Sequence, residues 1–193
     1  RRPGASGVSA GDELRVVLDA RAPFDASLAF SFLRARAVEG AEAFSGDTYL
    51  RATLMNGHTG IVAVTPAKGR DAIVVEVSSS LAPSLMTIAA RVRRVFDSDA
   101  DPTLIGAHLA RDPLLEKRVR ARPAQRVMGA FDPFEWAVRA VLGQQVSVRA
   151  ALTIAGRLVA KLGVPVKGPT REGAPAWAWP DAPRLADASE EAI

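Results

Sequence analysis

The sequence of 193 residues contains no cysteine and only two histidines, and each scarcity removes a class of function. Without cysteine there are no disulfides, thiolate metal ligands or cysteine nucleophiles, which fits a reducing compartment. His58 and His108 stand in different predicted halves of the chain and lack the spacing of metal ligands, so we expect no metal site. Neither a Walker loop nor a GxGxxG segment occurs, and we expect no nucleotide cofactor.

Long hydrophobic runs are also missing. No apolar run approaches the roughly 18–20 residues that span a bilayer, and no cationic stretch leads into the apolar segment of a secretory signal. We therefore expect a cytoplasmic monomer with no membrane partner. Hydrophobic residues make up 48% of the chain and charged residues 24%, enough for a core. The first residue is Arg1 rather than Met, so we expect a chain processed or excised from something longer.

Positive charge is concentrated in one segment. The whole chain carries a net charge of +4. The 16 residues from Arg111 to Arg126 carry six cations and two carboxylates, which is also +4. Such a cluster suits a polyanion such as nucleic acid, and a solvated basic loop explains it equally well. The cations are Arg111, Lys117, Arg118, Arg120, Arg122 and Arg126.

The first half of the chain predicts an α+β fold, a hairpin-rich sheet with helices on one face. Asn56-Gly57 is a strong signal for a type I′ hairpin, because both turn positions of that type need a positive φ. In the first helix, the apolar face is predicted to hold Leu28, Phe32 and Ala35, with Phe30 and Leu33 alongside. The predicted elements are strand Glu13–Ala20, a helix from Asp25 or Ser27 to about Val38, strands Thr48–Met55, Thr59–Val64 and Ala72–Val77, and a helix over Leu81–Phe96.

The second half predicts helices and no strand. Three Asp-Pro pairs each place a capping carboxylate before a proline in the first helical turn. We place a domain boundary near Asp97–Asp101, which divides the chain into a flexible tail (1–12), an α+β domain (13–98) and an all-α domain (99–193). The pairs begin at Asp101, Asp112 and Asp132; helices are predicted over Phe134–Leu142, over Val148–Leu162 and from Pro183 onward, with a loop over Val164–Ala176.

Two short motifs have both chemical and ordinary explanations. Gly7-Val8-Ser9-Ala10-Gly11 matches the nucleophile-elbow pattern but stands in the predicted tail, which favours a linker. The turn Gly143-Gln144-Gln145-Val146-Ser147 joins two predicted helices and presents amides and backbone N–H groups at a helix N-terminus, which can accept a phosphate. An ordinary helix–helix connection has the same spacing and is more common.

Two longer stretches carry a resemblance to a known family. They run from Phe24-Asp25 to Arg36-Ala37-Val38, and from Asp132-Pro133-Phe134-Glu135 to Gly143-Gln144-Gln145-Val146-Ser147. Together they resemble 3-methyladenine DNA glycosylase II, the AlkA type, of the helix-hairpin-helix glycosylase superfamily. The resemblance covers about Glu13 to the C-terminus. It implies a TATA-binding-protein-like antiparallel sheet with helices, then an incomplete all-α glycosylase domain. The tail resembles the junction behind a regulatory Ada-type region.

The resemblance implies a DNA repair enzyme that binds double-stranded DNA, flips an alkylated base of the 3-methyladenine class and excises it by hydrolysing the N-glycosidic bond. Phe32 matches the aromatic residue at the wall of the base pocket. Gln145 matches the residue that enters the gap left by the flipped base. Gln144, Val146 and Ser147 flank it as DNA-binding candidates, and Ser147 is also a good helix cap.

Some family elements have no match in this chain. After Gly163 only Gly168 and Gly173 follow, in a proline-rich loop, and neither forms the family's hairpin turn. We assign no catalytic residue, expect the catalytic aspartate downstream, and expect this chain to be inactive alone. We also expect the apolar face of Leu152 and Leu158 to lack a partner. A non-catalytic DNA-binding or regulatory module, and a helical interaction domain, remain alternative functions.

Overall fold

The computed structural model describes residues 13–168 and 171–189. The predicted tail 1–12, with its elbow-like segment Gly7–Gly11, lies outside the described residues. The first half of the chain forms strands and two helices, and the second half is mainly helical. They are β1 (Glu13–Asp19), α1 (Ala26–Arg34), β2 (Glu42–Ser45), β3 (Thr48–Met55), β4 (His58–Pro66), β5 (Ala72–Ser78), α2 (Leu85–Val95), α3 (Pro102–Leu109), α4 (Pro113–Ala121), α5 (Pro133–Leu142), α6 (Val148–Leu162), β6 (Val164–Pro165), β7 (Trp177–Ala178) and α7 (Ala182–Ala186).

The first five strands form one antiparallel sheet in the order β1-β5-β4-β3-β2, which confirms the predicted α+β class. Met55 pairs with His58 across the turn between β3 and β4. Both turn residues have positive φ, 51° at Asn56 and 80° at Gly57, as the type I′ prediction requires. Strand β2 was not predicted. It has four residues, too few to show an alternation of its own, and it forms by pairing with β3.

Helix α1 begins where predicted but buries a different face. The Asp25 carboxylate accepts a hydrogen bond from the Leu28 N–H at 2.9 Å. The helix ends at Arg34, four residues before the predicted end. Phe30 is buried against Phe96, with ring centroids 5.1 Å apart, whereas Phe32 is 39% exposed. The prediction that Phe32 lies on the buried face is wrong, because α1 is apolar on more than one side and the sheet covers the Phe30 side.

The helix predicted over Leu81–Phe96 divides into two parts. Residues Ser79–Ser84 form a 3₁₀ turn, and α2 starts only at Leu85. Pro83 lies inside the first part and has no backbone N–H to donate to a helical carbonyl, so a regular α-helix does not extend through it. The apolar spacing nevertheless predicts the buried face of α2 correctly at Ile88, Val92 and Val95.

The three Asp-Pro pairs all begin helices, as predicted. Asp101, Asp112 and Asp132 each accept a hydrogen bond from a backbone N–H in the first turn of α3, α4 and α5. The prediction that the second half has no strand is wrong, because β6 pairs with β7. A two-residue ribbon is too short to show a periodicity. None of the helices in the described part of the chain is long and apolar enough to cross a membrane.

The sheet is covered on both faces, because side chains alternate along each strand. One face packs on α1 and α2, and the other on the β6–β7 ribbon and its flanking residues, while α6 packs on the segment before β2 and on Trp179 after β7. Leu158 of α6 is 5% exposed and packs in a cluster with Val38 and Trp179, so the expectation that it lacks a partner is wrong. The domain boundary near Asp97–Asp101 stays a prediction, and side chains on its two sides pack directly against each other.

Candidate nucleic-acid interface

The corner between α5 and α6 lies on the surface. Its five residues, Gly143 to Ser147, are all exposed. The Ser147 hydroxyl accepts a hydrogen bond from the Ala150 N–H at 3.2 Å and so caps α6. The Gln144 side-chain amide donates to the Ala140 carbonyl at 3.3 Å. The corner therefore presents Gln145 and Val146 to solvent, while the neighbouring polar groups close the two helix ends.

Gln145 has an unfavourable backbone conformation. Three non-glycine residues in the described part of the chain have positive φ: Asn56, Asp97 and Gln145. Asn and Asp adopt this left-handed region comparatively easily, whereas for most other residues it costs about 1–2 kcal/mol. Backbone strain of this kind tends to persist at functional sites, where the surrounding structure holds it in place. The φ of 59° at Gln145 thus marks the corner as a candidate site.

A groove of about 320 Å³ lies between α1 and α5 and brings Phe32 close to the helix that carries the corner. Its rim includes Phe32 and Trp136, the latter 63% exposed. Trp136, Ala140 and Gln144 follow one another at intervals of four residues, so they share one face of α5 and its end. That face leads from the groove to the corner. Trp136 was not predicted to be a site residue, although it stands near the start of the helix that the Asp132-Pro133 pair predicts.

Phe32 also borders a second, smaller groove of about 160 Å³, between α1 and the segment that follows α4. Arg122, at the end of α4, lines this groove. On the side of the larger groove, the Arg36 guanidinium lies 3.9 Å from the centroid of the Phe32 ring, a cation–π contact. Exposed cations therefore flank Phe32 in both grooves.

The basic segment around α4 is mostly exposed, with one exception. Arg126 is only 6% exposed and donates hydrogen bonds to backbone carbonyls of Arg21, Pro23, Asp97 and Ala100. Burial lowers the pKa of its guanidinium. Arg126 thus holds loops together and is not available to a polyanion. The exposed cations are Arg111, Lys117, Arg118, Arg120 and Arg122, of which Arg120 pairs with Glu116.

The floor of the larger groove contains buried charges that sequence reasoning missed. Arg51 on β3 is 4% exposed and bonds to Glu42 on β2, at 3.1 Å, and to Glu135 on α5. An arginine in the middle of an otherwise apolar strand was a usable signal, because such a charge needs a buried partner. The partner itself could not be found from the sequence, since Glu135 is 84 residues away.

Two further side chains complete this cluster. Arg139 donates to Glu135 at 3.1 Å, to Glu42 at 3.3 Å and to the Arg36 carbonyl at 2.7 Å. The Tyr49 hydroxyl donates to Glu42 at 2.5 Å, and burial, reinforced by the Glu42 charge, raises the pKa of Tyr49. Burial disfavours the charged form of Arg51, but its carboxylate neighbours outweigh this and raise its pKa. We call Glu42, Arg51, Glu135 and Arg139 the buried ion network.

Acidic residues outside this network have local roles. The Asp181 carboxylate accepts a hydrogen bond from the Arg184 N–H at 3.1 Å and caps α7. Asp132 caps α5 and also pairs with Arg91 at 2.9 Å. Among the described residues, no three His, Asp or Glu side chains are grouped as a metal site would require.

A match to a known family covers more than half of the chain. Residues 15–132 match the AlkA N-terminal domain family. The chain belongs to this family. It is 42% identical over 170 residues to a probable bifunctional transcriptional activator/DNA repair enzyme AlkA of Mycobacterium tuberculosis, a match covering 88% of this chain and 34% of that protein. It is 33% identical over 141 residues to DNA-3-methyladenine glycosylase 2 of Escherichia coli, covering 73% of this chain and 48% of that protein.

The fold is also shared with a solved glycosylase. The 3-methyladenine DNA-glycosylase of Archaeoglobus fulgidus superposes with a TM-score of 0.76 at 18% identity, covering 93% of this chain and 60% of that one. At that identity the likeness shows the fold alone. The AlkA N-terminal domain chain described here spans about a third to a half of the length of the two curated relatives.

Proposed function

We propose that this chain is part of a DNA repair glycosylase that flips alkylated bases of the 3-methyladenine class out of double-stranded DNA and excises them. The family membership and the printed names of the relatives support this proposal. The observation that carries it is the geometry around Phe32. An exposed aromatic ring borders a groove whose other wall is α5, the helix that ends in the strained, exposed Gln145 corner.

In this proposal the corner enters the DNA and the groove receives the base. Gln145 fills the gap left by the extruded nucleotide, and its amide hydrogen-bonds the base that has lost its partner. Gln144, Val146 and the helix N-terminus behind Ser147 lie along the phosphate backbone. Phe32 stacks on the extruded base, and an aromatic face attracts the positive charge of an N-alkylated purine by about 0.5–2 kcal/mol. Arg36 covers the Phe32 ring here, so it moves aside when a base stacks.

We assign no catalytic residue to this chain. Loss of the base leaves positive charge on the sugar, which a carboxylate stabilises while water completes the hydrolysis. Asp181 and Asp132 are engaged as helix caps, and Glu42 and Glu135 are engaged in the buried ion network. We propose that the catalytic aspartate comes from the part of the relatives that this chain does not span, and that this chain does not excise bases by itself.

Excision of methylated purines tests the proposal. The complete polypeptide that contains this chain is expected to release 3-methyladenine from methylated double-stranded DNA, whereas the 193-residue chain alone releases none. Released base is measured by chromatography. Absence of release by the complete polypeptide would defeat the proposed activity, and release by the chain alone would defeat the assignment of the catalytic residue elsewhere.

A non-catalytic DNA-binding or regulatory module is the second candidate. The exposed cations of α4 favour it, because they support binding to any DNA backbone. Both candidates predict an affinity that falls as salt rises, since bound cations are released from the DNA. Only the glycosylase predicts a preference for damaged or abasic duplex. We further propose a cytoplasmic location, for which the cysteine-free composition is the support, and a monomeric state.

A further inference from the structure

We propose that the buried ion network is a positioning device that holds the Gln145 corner at a fixed place relative to Phe32. This inference rests on the proposed function and adds residues to it. Arg51, Glu135, Glu42 and Arg139 line the floor of the groove, and the role proposed here does not depend on contact with the base. They act through the two helices that carry the DNA-contacting side chains, α1 and α5, by fixing how α5 sits on the sheet.

The network joins α5 to the sheet at two points one helical turn apart. Glu135 in the first turn of α5 bonds to Arg51, and Arg139 in the next turn bonds to Glu42. Glu42 and Arg51 are direct cross-strand partners on β2 and β3. Two attachments on one face of a helix fix its position along its axis and its rotation about it. Helix α5 ends at Leu142, three residues or about 4.5 Å beyond Arg139 at 1.5 Å per residue, and Gln145 follows Leu142 by three residues.

The same network reaches Phe32 from the other side. Arg139 donates to the backbone carbonyl of Arg36 at 2.7 Å, and Arg36 follows Phe32 by four residues, just after the end of α1. The Val38 N–H, two residues further on, donates to Glu42 at 2.8 Å. The segment that follows α1 is therefore bound to the carboxylate that also binds α5. One connected set of hydrogen bonds thus joins the segment that follows α1, the helix of Phe32, to α5, the helix that ends in the corner.

Stability alone does not explain these charges. Removing charges from water costs several kcal/mol per ion, and well-packed apolar residues in their place are often neutral or stabilising. Helix α5 also has other anchors, since Asp132 caps it and pairs with Arg91. Apolar contacts alone define the position and rotation of a helix poorly, because they tolerate sliding and turning. Hydrogen-bonded ion pairs have a fixed geometry and do not.

The test measures the stability of the fold and the preference for an abasic duplex separately. In the 193-residue chain, Arg51 and Glu135 are replaced together by Arg51→Met and Glu135→Leu, which removes both charges and leaves Glu42 its Arg139 partner. We expect an unfolding temperature equal to or above that of the wild type. We also expect the ratio of affinities for an abasic-site duplex and an intact duplex to fall about tenfold, as small displacements of a positioned group do. The exposed pair variant Asp19→Ala/Arg70→Ala, which lies outside the basic segment and both grooves, is the control and keeps the ratio.

A second variant applies if the double variant does not fold. Arg139→Lys keeps the positive charge but cannot reach Glu42, Glu135 and the Arg36 carbonyl together, because it lacks the planar fork of arginine. It is expected to lower the same ratio. An unchanged ratio in a folded double variant, or in Arg139→Lys, overturns the inference. A wild-type chain that does not prefer the abasic duplex overturns the proposed function instead, so the two failures are distinguishable.

Discussion

At the scale of single residues, local patterns predicted the capping and turn residues correctly. Asp25 and Ser147 cap their helices and Asn56 occupies its hairpin turn, because each depends on neighbours within three residues. Phe32 was a candidate only through the family resemblance, whereas the turn that contains Gln145 was also singled out as a helix N-terminus that can accept a phosphate. Spacing alone placed Phe32 in the core, and the structure places it on the surface. Whether a residue on an all-round apolar helix faces sheet or solvent depends on tertiary packing, which the sequence does not display.

The exposed indole of Trp136 carries a prediction at this scale. The proposed function puts a nucleobase into the groove that Trp136 and Phe32 line. Trp136→Ala is expected to weaken binding of a duplex that contains an extruded base, since stacking is worth about 1–3 kcal/mol per base. Binding of an intact duplex changes less. Fluorescence of 2-aminopurine at the target position reports the effect, because stacking on the indole quenches the extruded base.

Two matched variants control this prediction. Trp136→Phe retains an aromatic face and is expected to keep most of the quenching. Met86→Ala removes another strongly exposed apolar side chain, on α2 and away from the groove lining, and is expected to change nothing. Equal fluorescence in Trp136→Ala and wild type, at saturating protein, would contradict a stacking role.

At the scale of elements, long segments with strong periodicity were predicted and short ones were not. Helix α6 and the strands of the β3–β4 hairpin appear close to their predicted bounds. Strands β2, β6 and β7 have two to four residues each and exist by pairing with partners elsewhere in the chain. The buried ion network was missed for the same physical reason, since its partners come from β2, β3 and α5.

An ion pair between β1 and the loop before β7 makes stability depend on pH. Arg171 bonds to Glu13 at 2.8 Å and to Glu76 at 2.6 Å. The hydrogen bond from Arg171 holds the pKa of Glu13 below its usual value of 4.5. A carboxylate with a lowered folded-state pKa stabilises the fold at pH values above its usual pKa. That contribution is lost as the pH falls through the lowered value.

Glu13→Gln tests this dependence. At pH 7 the variant is expected to be less stable than the wild type by up to about 1 kcal/mol, since the pair is partly exposed. The difference is expected to shrink as the pH falls below 4.5, where the wild-type carboxyl becomes protonated. Urea unfolding of both proteins at pH 7 and at pH values below 4.5 measures it. A difference that stays constant across this range would show that the charge of Glu13 is not involved.

At the scale of the whole molecule, the two halves that differ in predicted secondary structure pack into one structure. The β6–β7 ribbon covers one face of the sheet, α1 and α2 cover the other, and α6 packs on the segment before β2 and on the residues after β7. Hydrophobic periodicity, together with turn and cap residues, predicted a sheet-rich first half and a helical second half. The structure agrees with this prediction apart from the short β6–β7 ribbon. These patterns could not predict that α5 would be bonded to the sheet edge, which brings the Phe32 groove and the Gln145 corner onto one helix.

The corner is proposed to fill the space of an extruded nucleotide. A comparison of the affinities of Gln145→Ala for a duplex with an abasic site and for an intact duplex tests this role. Gln145→Leu serves as the control, since both variants need the same left-handed backbone but leucine retains the bulk of a wedge. Ala is expected to weaken binding to the abasic duplex more than to the intact one, and Leu is expected to retain the preference. Equal losses on both duplexes would contradict this role.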